Sequence, residues 1–370
     1  MGRIGSAACA ALMCLILGGA AEAAPKTADY APDLEPAVGA IRPGEVRAQF
    51  MGVSTILLDD GQTQILLDGF FTRPAWPTVA LAMRPNLGKI GRGLDRAGVT
   101  RLGAVLVAHA HHDHVLDAPD VAMSAGRFTP GRPPVLAGSE SVRFVAEGRG
   151  YPVDDPARFW LIGKGRMSRE IGDFTITAYE TPHSPGGPAR EEIKTRVPRD
   201  APALAYQMGP NFSYMVIHKN GLRVLLYPSA NVPDVSFAAL KPHVVFLGVA
   251  RLGDQPPSVT DLYWKRVVFD ASATPAPLTS QHKPLVIPVH WDDFGSFRPE
   301  LSILGWPFDN AAGSLKLVAR RACQDQVTVR FASVFQPVTL WADGAPMSGR
   351  APGEAPTPAA ICQRVGPPPG

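Results

Sequence analysis

Six consecutive residues, His109-Ala110-His111-His112-Asp113-His114, carry most of the coordinating chemistry in this sequence. They follow an apolar run, Leu102 to Ala108, that reads as a buried strand. Where a strand ends, His109 and His111 share one face, because side chains alternate with period two. The polar turn that follows lets Asp113 and His114 reach the same volume from another direction. Imidazole nitrogen and carboxylate oxygen are groups that zinc accepts, and catalytic sites keep one position open for water. The expected chemistry is therefore metal-assisted hydrolysis, with Asp113 both binding metal and orienting the nucleophile. His112, between the two pairs, is expected behind the ligands or at the surface.

The elements that must position this cluster alternate along the chain. From Val46 the pattern becomes strand-like, and Ser54 to Leu58 and Gln64 to Asp68 form a hairpin around Asp59-Asp60-Gly61. Helical stretches over about 77–84 and 88–97 are separated by Pro85. A short strand at 134–136 precedes a helix that Ser139 caps. Strands are expected at 159–162 and 174–179, then a hairpin 214–217/222–227 turning at Asn220-Gly221. A strand at 244–249, a helix at about 258–270 and a strand at 285–289 lead to His290. A helix at about 310–322 and strands at 327–331 and 338–341 complete the body. Between them, 184–203 is charged and aperiodic and reads as a long loop, either a lid over substrate or a mobile surface segment. Hairpins in both halves, interleaved with helices, suggest two mixed sheets face to face with helices outside.

The string Val107 to His114 resembles the signature of the metallo-β-lactamase superfamily, and other landmarks follow in that family's order. Gly52 to Gly69 is similar to its opening hairpin, Thr181-Pro182-His183-Ser184 to its third metal motif, and Ile287 to Trp291 to its last. The resemblance implies an α/β fold, a four-layer αββα sandwich in a single domain over residues 46–345. It implies one metal held by His109, His111 and His183 and a second by Asp113, His114 and His290, with Asp68 accepting a hydrogen bond from a ligand. Zinc is the implied cofactor, as one or two ions, with another divalent transition metal as the alternative. Zinc brings bound water to a pKa of about 7, so the implied reaction is attack by metal-activated hydroxide. The ending His290-Trp291-x-x-Phe294 resembles the branch of L-ascorbate-6-phosphate lactonase and N-acyl-phosphatidylethanolamine phospholipase D more than the true β-lactamases. A phosphodiester, lactone or related ester is the implied substrate, a small or lipid-like molecule.

Two positions depart from the pattern. Ser229, in Tyr227-Pro228-Ser229-Ala230-Asn231, stands where most hydrolases of the superfamily carry an Asp bridging both metals. Pro182 replaces the Gly usual before His183. A protein that keeps the fold and binds metal or ligand without turnover is the alternative reading, and a β-lactam hydrolase is another. The oxidoreductases of the superfamily usually carry a Glu where His111 stands. Asp117 is read either as an acceptor behind the ligands or as a plain loop carboxylate. Phe70, Phe71, Trp76, Trp291 and Phe294 either wall an apolar pocket or pack in the core; His218, His243 and His282 read as structural.

The remaining features concern compartment. Arg3, the apolar run Ala7 to Leu17 and Ala21-Glu22-Ala23 fit a cleaved export signal over 1–23, so a periplasmic or secreted protein is expected, with no stable membrane span after cleavage. Residues 24–45 form a polar lead-in and 346–370 a Pro/Gly-rich tail. Past the signal only Cys323 and Cys362 remain, and an oxidising compartment favours a disulfide between them. Net charge is +3 with 19% charged residues and no basic block, which argues against nucleic acid as a partner.

Overall fold

The computed structural model describes residues 32–74, 78–125, 133–186, 189–273, 281–292, 310–342 and 345–346. The expected signal, Trp76, Phe294 and Cys362 lie outside the described residues, as does the tail beyond Pro346. Six strands, β1 (Val46–Phe50), β2 (Ile56–Asp59), β3 (Gln64–Leu67), β4 (Leu102–Leu106), β5 (Val135–Gly138) and β6 (Phe159–Leu161), open one sheet. The next seven build a second: β7 (Arg166–Ile171), β8 (Phe174–Glu180), β9 (Phe212–His218), β10 (Arg223–Tyr227), β11 (Val244–Gly248), β12 (Leu285–Val289) and β13 (Thr328–Val329). The chain then returns to the first sheet with β14 (Pro337–Ala342) and β15 (Ala345–Pro346), giving the order β15-β14-β1-β2-β3-β4-β5-β6. Both sheets are mixed: β1, β2 and β3 pair antiparallel while β3, β4 and β5 run parallel, and β10 to β13 are parallel beside an antiparallel β7–β10 meander.

Alternation of side chains decides which face meets which layer. Ile56, Leu58, Ile65 and Leu67 point to the second sheet and share one buried core with Val216, Leu225 and Ile287. Leu57 and Leu66, one residue out of phase, pack on the other face with Ile90, Leu94, Val121 and Val145. Those four belong to helices Leu87–Arg96, Ala118–Ala125 and Glu140–Gly148. On the far face of the second sheet, helices Pro257–Val267 and Ala311–Asp325 contribute Tyr263, Trp264, Leu315 and Val318 to the same contiguous cluster of buried residues. The layer order is the expected αββα sandwich. Its helix starts are locally encoded: the side chains of Asn86, Ser139 and Asn310 accept from the backbone N–H of Lys89, Val142 and Gly313.

Three features lie beyond the sequence reading. Strand β7 was not read from the sequence: Arg-Met-Ser-Arg-Glu-Ile is an edge strand whose inward face, with Met167 and Ile171, is only half-buried against the core. The charged 184–203 segment is the expected long loop where it is described, and it is anchored to the body. Ile193, Val197 and Ala201 are buried in the helix-side core, Met83 pairs with Ala201 through a backbone N–H of 2.8 Å, and Arg196, Arg199 and Asp200 pair with Glu147, Asp120 and Arg84. The lead-in is also attached where described, since Asp33 and Leu34 donate backbone N–H groups to the Phe331 carbonyl. Among the described residues no helix is long and apolar enough to cross a membrane.

At the sheet ends remote from Glu180 and Phe212, His218 of β9 donates Nε2–H to Asp60 in the β2–β3 turn at 3.2 Å, with both groups buried, and so ties the two sheets together. Burial works against the His218 proton, but Asp60 prevails and raises its pKa above 6.5. Stability held by that proton is fully present below 6.5 and is lost as pH rises through the higher folded-state value. The melting-temperature gap between the wild type and His218→Gln is therefore expected to be larger at about pH 5.5 than at about pH 9; equal gaps would remove the charged pair from the account.

Candidate metal centre

The cluster sits where strands of both sheets end. Past β4 the chain bends at Ala108, whose carbonyl accepts from Phe212 N–H at 2.8 Å, joining the first motif to the start of β9. His112–Val115 then forms one helical turn that swings Asp113 and His114 inward. His183 follows β8 and His290 follows β12. The structure therefore brings all six predicted groups together, as two triads whose donor atoms each lie within 4.8 Å of one another: His109/His111/His183 and Asp113/His114/His290. The triads adjoin, with the His109 and His114 ring centroids 4.0 Å apart.

The second triad has a closely defined geometry. His114 Nε2 lies 3.4 Å from Asp113 Oδ2 and 3.3 Å from His290 Nε2, and His290 Nε2 lies 3.4 Å from Asp113 Oδ2. The centre of such a triangle is about 2 Å from each corner, the length of a zinc–nitrogen or zinc–oxygen bond. His114 Nδ1 is bound to Asp68 Oδ2 at 2.7 Å, which assigns its proton there and turns the Nε2 lone pair inward. In the first triad His111 Nε2 bonds the Ala189 carbonyl at 3.1 Å and His183 Nδ1 the Ser184 carbonyl at 2.8 Å. Their other nitrogens keep lone pairs for the interior. His109 Nε2 and His111 Nδ1 lie 2.9 Å apart, a pose in which two neutral imidazoles share one proton or one cation. The buried His109 Nδ1 has no hydrogen-bond partner among the described residues. Three imidazoles in one triad, and two with a carboxylate in the other, fit divalent transition metals of the zinc type.

Electrostatics prepares the same set. Burial pushes His109 well below the ordinary imidazole value, and His114, His183 and His111 beside it push further. Burial likewise takes His111 down to about 4 and His183 to about 3. Burial works to raise Asp113, but His114 and the bond to His290 hold its carboxyl well below the usual range. Near neutrality His109, His111, His183 and Asp113 are thus in their ligating forms. His114 goes the other way: burial opposes its proton, but Asp68 and Asp113 raise its pKa.

Among the predicted supporting residues, Asp68 takes the expected place and also accepts from Ser54 Oγ at 2.5 Å. Asp117, fully buried, accepts instead from Phe71 N–H, Thr72 N–H and Thr72 Oγ at 2.5–2.7 Å, so it anchors the loop after the opening hairpin and bonds none of the six. Burial outweighs those bonds and pushes its pKa to about 6. Ser229 donates to Asn211 Oδ1 at 3.0 Å, and Asn211 Nδ2 donates to the Thr181 carbonyl at 3.0 Å. Ser229 is thus tied by neutral hydrogen bonds to the loop that carries His183. Phe70, Phe71 and Trp291 are core residues, and Trp291 donates Nε1–H to the Pro288 carbonyl. Sequence reasoning missed Ser54, Ala189 and Asn211. Ser54 carried a signal, being a hydroxyl one turn away from the Asp68 strand in the same hairpin.

Several backbones here are strained. Val53, Asp68, Arg73, Ala189 and His290, all non-glycine, have φ between +41° and +64° around the site.

No protein-family model matches the chain. It is 37% identical over 78 residues to a UPF0173 metal-dependent hydrolase of Heliobacterium modesticaldum, a match spanning 21% of this chain and only 26% of that relative. Among solved structures, it is similar to Igni18, a metallo hydrolase of Ignicoccus hospitalis, at 15% identity and a TM-score of 0.46 over 81% of this chain and 100% of that one. It is also similar to CmlA, a diiron β-hydroxylase of Streptomyces venezuelae, at 12% identity and a TM-score of 0.42 over 81% of this chain and 54% of that one. With the αββα sandwich and two donor triads in place, the resemblance to the metallo-β-lactamase superfamily stands on the chain's own residues.

Replacing Asp68 by Asn keeps a polar partner for His114 but removes its charge. Zinc affinity is expected to fall by about 10- to 100-fold, read by competition with a chromophoric chelator; unchanged affinity would deny Asp68 its orienting role.

Proposed function

We propose that the protein is an exported, zinc-dependent hydrolase acting on a phosphodiester, lactone or related ester, with lipid-like substrates included. The observation that carries this reading is the triangle of Asp113, His114 and His290, with donor atoms 3.3–3.4 Å apart, beside three further imidazoles. His109, His111 and His183 would hold one ion and the triangle the second. Bound zinc supplies Lewis acidity toward the attacked oxygen and acidifies coordinated water. The chain's own contribution is orientation and charge. Asp113 stays ionised and offers an acceptor at the site, while Asp68 fixes the His114 tautomer and so the direction of its lone pair. The strap at Ala189 does the same for His111.

The lactonase and phospholipase D-like branch is favoured by the closing His290-Trp291 motif. Export is favoured by the amino-terminal pattern, and a Cys323–Cys362 bridge to the tail would suit an oxidising compartment. Such a bridge closes a loop of about 40 residues and is worth a few kcal/mol.

Purified protein is expected to carry one or two transition-metal ions and to turn over at least one member of a phosphodiester and lactone panel. Chelation should abolish that rate and zinc restore it. His111→Ala should lower kcat/KM by more than the ~100-fold typical of losing a mere partner of a ligand. Tightly bound metal with no rate on any ester would instead mark a binding protein in which Ser229 is the lesion, and hydrolysis of a chromogenic β-lactam would redirect the substrate assignment.

A further inference from the structure

Arg73 and Asp292 form an ion pair, Nη1 to Oδ2 at 2.9 Å, with side chains only 1% exposed. Neither belongs to the metal triads, and the chemistry above uses neither. What they touch is the turn Met51–Ser54 between β1 and β2. Asp292 Oδ1 accepts the Val53 N–H at 2.7 Å, and Arg73 Nη2 donates to the Met51 carbonyl at 3.1 Å. Gly52 lies so close that a Cβ there would stand 1.9 Å from Arg73 Nη2 and 2.6 Å from Asp292 Oδ2. The pair therefore grips this turn on both sides, and only glycine fits between.

The same turn holds two members of the second triad. The His290 N–H donates to the Val53 carbonyl at 2.6 Å, and Ser54 Oγ lies 3.0 Å from His114 Nδ1 and 2.5 Å from Asp68 Oδ2. Val53 and His290 both hold left-handed backbones, φ +53° and +64°. For a β-branched residue and an imidazole such conformations persist only when the surroundings enforce them. Arg73 itself has φ +41° and follows Thr72, whose N–H and hydroxyl are bound to Asp117. A continuous buried path thus runs from Asp117 through Arg73 and Asp292 to the turn that seats His114 and His290. The His109/His111/His183 triad is held by other groups, the carbonyls of Ala189 and Ser184.

We propose that the Arg73–Asp292 pair is a positioning device for the Asp113/His114/His290 cation site, setting that site's affinity separately from the site of three histidines. The inference rests on the two-triad reading above. Removing the charge of Asp292 frees Val53 and His290 to relax toward ordinary backbone conformations. The His290 Nε2 then leaves its corner of the triangle.

Stepwise zinc binding to the full chain, followed by chelator competition and by metal content after dialysis, tests this in the wild type, in Asp292→Asn and in the double variant Arg73→Met/Asp292→Leu. The double variant removes both buried charges and so avoids leaving one unpaired. The expected result is two zinc ions in the wild type. In both variants one site stays within a few-fold of its original affinity and the other is weakened about 10- to 100-fold. The double variant should melt near the wild type and still bind its second zinc weakly. A double variant that recovers both melting temperature and second-site affinity would reduce the pair to a structural role and overturn the inference. So would equal weakening of both sites, or none. A wild type that binds no zinc, or binds it unchanged in His111→Ala, would instead sink the proposed function itself.

Discussion

Neutral imidazoles packed with their lone pairs toward one point repel one another unless something positive lies between them, and strand ends of both sheets of this protein converge on that situation. Each ring nitrogen facing outward is committed where an acceptor exists: Asp68 for His114, Ala189 for His111, Ser184 for His183. Those commitments fix the tautomers, and the tautomers aim the inner nitrogens. The sandwich serves this constraint. Strand ends from both sheets must arrive within a few ångströms of each other, and the packed inter-sheet core keeps them there.

The arrangement has an internal energetic tension. Burying a charge pair such as Arg73–Asp292 gains little stability over an apolar pair, whereas losing one partner costs about 3–5 kcal/mol. Left-handed backbones at Val53, Asp68 and His290 add a cost of order 1 kcal/mol or more each. The surrounding core offsets these costs, since Phe50, Phe70, Phe71 and Leu67 are buried beside the strained turns.

The sequence made the contiguous part of the site legible. His109 to His114 fall within one strand end and one helical turn, so periodicity alone places them on one volume. His183 and His290 were reached through the order of motifs, since residues far apart in sequence show no mutual spacing. The supporting groups were hidden for the same reason. Ala189 contributes a carbonyl, which any residue has, and Arg73 meets Asp292 through a left-handed backbone that nothing in Phe70-Phe71-Thr72-Arg73-Pro74 announces. The charges of 184–203 suggested solvent, and most are exposed, yet Arg196, Arg199 and Asp200 pair with the body while Ile193, Val197 and Ala201 dock inward. Strand positions were recovered to within a few residues wherever a face was fully buried, and β7, whose inward face is only half-buried, was not.

β1 lies between β2, its immediate successor, and β14, which arrives from the other end of the chain. A ribosome adding about 5–20 residues per second exposes β1 long before β14 emerges. Until then one border of the first sheet is an open row of amide and carbonyl groups, able to recruit a strand from another molecule. β14 is therefore also the latch that ends this vulnerability of β1 to mispairing in the nascent chain.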